Sequence, residues 1–107
     1  MKINGKYKGG LFMEQYFIAQ IKITDQIEYN KYLAQCDEVF SKYNGKYIVV
    51  DDTPEVLEGE WEYTRMVIIR FNSREAFTNW YYSDEYQEIL KHRLAGAICN
   101  TVVVSSL

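Results

Sequence analysis

The chain predicts an α+β domain with the element order βαββαβ and an antiparallel sheet, on three observations. A period-two apolar segment opens the fold at Tyr16 to Thr24, and a stronger one lies mid-chain at Arg65 to Phe71. Each is followed by an apolar pattern at spacings of three and four, the signature of a helix with one buried stripe. A last β-branched run, with Thr101-Val102-Val103-Val104 at its centre, closes the chain as a strand. Two strand-helix-strand units of this kind place both helices on one face of the sheet and leave the other face in need of cover.

In the first strand Phe17, Ala19, Ile21 and Ile23 share a face, opposite Tyr16, Ile18, Gln20 and Lys22. Asp25, with Glu28 three residues on, forms a capping-box-like start to a helix over roughly Gln26 to Tyr43. Its stripe holds Tyr29, Tyr32, Leu33, Cys36, Val39, Phe40 and Tyr43, and Asn44-Gly45 supplies a left-handed stop. Lys46 to Asp51 is the second strand, Asp51-Asp52-Thr53-Pro54 a turn, and Val56 to Gly59 a short extended piece. Arg65 to Phe71 carries Val67, Ile69 and Phe71 on one side and Met66 and Ile68 on the other, so it is expected at the sheet's centre with both faces covered. Asn72 or Ser73 then caps a helix bearing Ala76, Phe77, Trp80 and Tyr81; Ser83 restarts it for Tyr86, Ile89, Leu90 and Leu94, and Gly96 ends it.

At 107 residues the chain fits one domain with a modest core, a size that often gains stability by pairing. Residues 13–107 form that domain, and residues 1–12, which have no sustained periodicity, are expected to be a flexible arm; Met13 is an alternative start to Met1. A hydrophobic share of 48% excludes disorder, and the interrupting charges exclude a membrane span. With a net charge of −3 and no clustered Lys/Arg track, nucleic acid is not an expected partner. Cys36 and Cys99 fall in apolar patterns without metal-ligand spacing, which suggests reduced thiols in a cytoplasmic protein; no secretory leader is recognised. Nucleotide loops, nucleophile elbows and zinc-peptidase motifs are absent from the sequence, so neither a cofactor nor a metal is expected.

Several segments together resemble one family. They are Tyr16-Phe17, the spaced Tyr29 and Tyr32, Lys42-Tyr43-Asn44-Gly45-Lys46-Tyr47, Val56-Leu57-Glu58-Gly59-Glu60-Trp61, Arg65, Trp80-Tyr81, Ser83, Glu85-Tyr86-Gln87 and Arg93. The pattern, nearly continuous from Tyr16 onward, is similar to that of the domain of unknown function 1330. Asn44 replaces a glycine, Asp84 stands where proline is frequent, and Arg70 stands where an acidic residue is common. The resemblance implies a ferredoxin-like fold that pairs into a dimeric α/β barrel, hence a homodimer. Its superfamily includes cofactor-independent oxygenases, decarboxylating or dehalogenating enzymes and proteins without shown chemistry, all using a cleft between sheet and helices. Fold alone does not choose among them.

Four residues are candidate ligand-binding groups. Arg65, opening the central strand, offers a planar donor fork to a carboxylate or enolate; the competing reading pairs it with Glu60 or Glu62. Arg93 sits near the apolar stripe of its helix, where its stem could pack and its head reach a pocket, or it could serve the helix terminus as a surface cation. Trp80 and Tyr86 combine apolar bodies with polar tips suited to an aromatic ligand, though their spacing equally describes core. His92, the lone histidine, is the candidate for acid–base catalysis, set against a solvated place between Lys91 and Arg93. Glu58 could act as a base if a partner buried it, but with Glu55, Glu60 and Glu62 it reads as a wet edge. The chain is thus expected to bind a small, partly apolar organic acid or carbonyl compound, with or without turnover. The rival expectation is a structural or protein-interaction module.

Overall fold

A computed structural model describes residues 13–107; the arm expected over residues 1–12 lies outside them. Strand β1 (Gln15–Ile23) alternates buried and half-buried positions, as its period-two sequence requires, with Phe17, Ala19 and Ile21 inward. Asp25 then caps helix α1 (Gln26–Ser41) by accepting the Glu28 amide at 3.1 Å. The capping box is not completed, because the Glu28 carboxylate turns to Lys31 and to His92 of a later helix.

Helix α1 ends two residues before the expected Tyr43, and Asn44 itself adopts the left-handed conformation with φ 65°. Gly45 serves a different need. A Cβ there would stand 2.5 Å from Phe40 Cδ2 and 2.9 Å from Phe71 Cε1, so only a bare Cα lets the turn close over the core.

Strand β2 (Lys46–Asp51) pairs with β3 (Arg65–Phe71) across a register shift between Tyr47 and Val49. Between them residues 52–64 form no regular element; the expected extended piece at 56–59 pairs with no strand and bends at Glu58 and Gly59, with Gly59 at φ 82° and Leu57 84% exposed. Ser73 caps helix α2 (Arg74–Tyr81). Ser83 donates to the Trp80 carbonyl at 2.8 Å and accepts the Tyr86 amide at 3.1 Å, ending one helix and starting α3 (Asp84–Gly96). The second helix of the expected order is therefore two helices, and β4 (Ala97–Ser105) follows without a loop.

All three strand pairings are antiparallel, in the order β2-β3-β1-β4, which is the ferredoxin-like arrangement. The helices pack on the face carrying Phe17, Val67, Ile69 and Phe71. A Gly96 Cβ would lie 2.6 Å from the Tyr29 backbone nitrogen, and the Gly96 carbonyl accepts the Thr24 and Asp25 amides at 2.9 and 3.0 Å. The end of α3 is thereby tied to the start of α1, which aligns the two helices over the sheet. On the opposite face Ile18 lies between Ile68 and Val102, while Ile48, Val102 and Val104 are exposed. The cover expected on both sides of β3 is thus present on one side within a single chain.

Candidate functional site

Period two along β3 puts Arg65 on the same side as Val67, Ile69 and Phe71, so its guanidinium lies beneath the helices. On α3, Arg93 shares a face with Ile89 and Leu90 and is carried into the interior at 3% exposure. Both arginines line one cavity, whose polar wall also includes Tyr29, Tyr32, Cys36 and Tyr47. Its apolar wall is formed by Phe17, Ala19, Ile21, Leu33, Val67 and Ile69. The space open to the centre of a water molecule is about 20 Å³, room for a water and little more.

Two features make this cavity unusual for a core. Arg93 has no ion-pair partner among the described residues; its guanidinium carbon stands 5.7 Å from the centroid of the Tyr32 ring, a cation–π contact. In addition, the Nε atoms of both Arg65 and Arg93 are buried without a hydrogen-bond acceptor. Such donors cost roughly 1–3 kcal/mol each when left unmade, and more when charged. The Arg65 pairing is to Asp52, at 2.6 Å from Nη1 to Oδ1, and not to Glu60 or Glu62; Glu62 faces Lys22 instead.

The surrounding hydroxyls and thiol are neutral groups. Burial pushes the Tyr32 and Tyr86 phenols up, and these two hydroxyls share a 2.8 Å hydrogen bond. Burial likewise raises Tyr29, against the pull of the Arg65 guanidinium. The Cys36 thiol is raised by burial, which keeps it protonated and a poor nucleophile. The Tyr47 hydroxyl, also raised by burial, donates to Asp37 at 2.7 Å and touches Cys36 Sγ at 3.5 Å. The cavity therefore offers fixed positive charge and neutral hydrogen-bonding groups, and no buried carboxylate base.

A family model matches residues 14–107. The chain belongs to the family Domain of unknown function (DUF1330). No curated protein matches this DUF1330 chain. Among solved structures it is similar to RPA0582, a protein of unknown function from Rhodopseudomonas palustris, at 16% identity and a TM-score of 0.79 over 98% of this chain and 92% of that one. It is also similar to SnoaB, a cofactor-independent oxygenase from Streptomyces nogalater, at 11% identity and a TM-score of 0.64 over 89% and 94% of the two chains. A third, from Bacteroides fragilis, is described as a dimeric protein of unknown function with a ferredoxin-like fold; identity is 11% and TM-score 0.58 over 87% and 96%. At these identities the likeness shows a shared fold.

Of the sequence candidates in this DUF1330 domain, Arg65 and Arg93 come together at the cavity. Trp80 and Tyr86 do not line it. Trp80, 1% exposed, packs with Phe17, Phe71 and Phe77, and Tyr86 meets the cavity's lining through its bond to Tyr32 and through the neighbouring Arg93 guanidinium. His92 lies outside as well, with Nδ1 2.6 Å from Glu28 Oε2, fastening α3 to α1. The polar wall of Tyr29, Tyr32, Cys36 and Tyr47 was not among the candidates; the helical tyrosine spacing marks burial but not what the hydroxyls face. Among the described residues no three His, Cys, Asp or Glu side chains converge as a metal group, and no helix is long and apolar enough to cross a membrane.

Proposed function

We propose that this protein is a homodimer that binds a small, partly apolar organic acid, or a carbonyl compound able to present an oxyanion, in the cavity between sheet and helices. The supporting observation is the pair of buried, acceptor-free Nε donors on two arginines that line one cavity, one of them without any counter-charge. A carboxylate has two oxygens and four lone-pair sites, enough to accept from both guanidinium groups. The apolar wall suits the body of such a ligand, and its entry requires partly exposed Leu33 to swing aside and Tyr47 to give up its bond to Asp37. The uncovered apolar sheet face supports pairing with a second copy, as does the dimeric description of the Bacteroides fragilis protein. Two free thiols, Cys36 and Cys99, support a reducing cytoplasmic setting.

Native mass spectrometry of protein isolated gently from cells tests both parts at once: the expected species is a dimer carrying one small additional mass per subunit. Titration calorimetry with phenylacetate then addresses the site. Arg93→Met and Arg65→Ala are each expected to weaken binding about tenfold or more. Unchanged affinity in both variants would refute the assignment.

A further inference from the structure

Consecutive acids at the end of β2 serve different tasks. Asp51 Oδ1 accepts the Thr53 amide at 2.8 Å and fixes the turn, which leaves Asp52 to face Arg65. The Asp52 side chain is 65% exposed and its partner's 15%, so a solvent-side carboxylate reaches in to a largely buried cation. The contact is one Oδ1 on one Nη1, and Arg65 Nε still lacks an acceptor. The two guanidinium groups of the cavity and the Asp52 carboxylate that meets Arg65 from the solvent side sum to a single excess positive charge. Asp37, the other acid at this wall, is exposed and engaged by the Tyr47 hydroxyl.

We propose that Asp52 sets the charge of the ligand that this site accepts: while it stays on Arg65, the site takes a monocarboxylate and rejects a dianion. This inference rests on the carboxylate-binding reading above. A monoanion cancels the one excess charge and supplies an acceptor to the orphaned donors. A second anionic group would be buried beside Asp52 without a counter-charge, a cost that desolvation makes large. Replacing Asp52 by a neutral side chain leaves two cations unmatched, which favours a dianionic ligand. Charge selection of this kind works by repulsion as much as by attraction.

The test compares phenylacetate, a monocarboxylate, with phenylsuccinate, a dicarboxylate sharing its phenyl group, by calorimetry at neutral pH. The wild-type protein is expected to prefer phenylacetate by about tenfold, and Asp52→Asn to shift that ratio toward phenylsuccinate by about tenfold or more. Asp52→Ser, also confined to the exposed turn, provides a second reading of the same ratio. A merely structural role for Asp52 would weaken both probes together and leave the ratio unmoved, which overturns the proposal. Wild-type preference for phenylsuccinate overturns it too, because it shows Asp52 leaving Arg65. Failure of the wild type to bind either probe overturns instead the carboxylate-binding reading beneath it.

Discussion

The layer between helices and sheet has two ends that obey different rules. Around Phe17, Phe71, Phe77 and Trp80 the rings interlock, with Phe71 and Trp80 centroids 5.0 Å apart and Trp80 and Tyr86 at 4.2 Å. Around Arg65 and Arg93 the same layer buries cations, phenols and a thiol about a small void. The Tyr32–Tyr86 hydroxyl pair joins the two. One end is built as a core is built, to exclude water and gain dispersion contacts. The other keeps charged donors without acceptors, a larger cost than that of the neutral Trp80 Nε1 left unpaired among the rings. The contrast teaches that neither burial nor a single neutral unpaired donor marks a site; unmatched charge within the burial does.

Substitution at each end breaks the contrast in opposite ways. Trp80→Ala should remove about 4 kcal/mol of stability, measured by urea unfolding, because it empties the centre of the ring cluster. Since small domains hold only about 5–15 kcal/mol in all, that variant is expected to unfold at markedly lower denaturant. Trp80→Phe should cost about 1 kcal/mol, because the Trp80 Nε1 it removes has no acceptor to lose. At the polar end, Arg93→Met should stabilise the protein by about 1 kcal/mol while weakening phenylacetate binding about tenfold or more, since relief of an unpaired buried charge outweighs the lost contact with Tyr32. Loss of stability there comparable to that of Trp80→Ala would make Arg93 a structural residue.

The two ends were unequally legible in the sequence. The aromatic end is written locally: alternation along Tyr16 to Thr24 and Arg65 to Phe71, spacing three and four along the helices, and caps at Asp25, Ser73 and Ser83 all act within a few residues. The arginines could be nominated because Arg65 opens the central strand and Arg93 falls near the apolar stripe of its helix. Their setting could not. Asp52 reaches Arg65 across 13 residues of irregular chain, and His92 meets Glu28 over a separation of 64, contacts that only tertiary packing creates. Trp80 and Tyr86 illustrate the converse, since helical spacing reports that a ring is buried but not whether it lines a void or fills one.

The smallest effect concerns the α1–α3 clasp, which separates His92 from the cavity. The hydrogen bond from His92, and after it that from Lys31, holds the Glu28 carboxyl below its usual range; Lys42 and then Tyr43 do the same for Glu85. A carboxyl depressed in the folded state contributes stability above its unfolded pKa and loses it as pH falls through the folded value. The melting temperature should therefore fall as pH drops below ~4, where carboxylates begin to protonate. Glu28→Gln should lower the melting temperature at pH 7, flatten its decline toward acid, and converge on the wild type once Glu28 is protonated. High salt should shrink the pH 7 difference modestly, because the pair is partly open to solvent. Phenylacetate affinity should be the same in Glu28→Gln, His92→Gln and the wild type, since neither residue lines the cavity. A His92→Gln variant that lost binding while keeping its melting curve would place the histidine at the site after all, and the division between a clasp outside and a cation pair inside would fail.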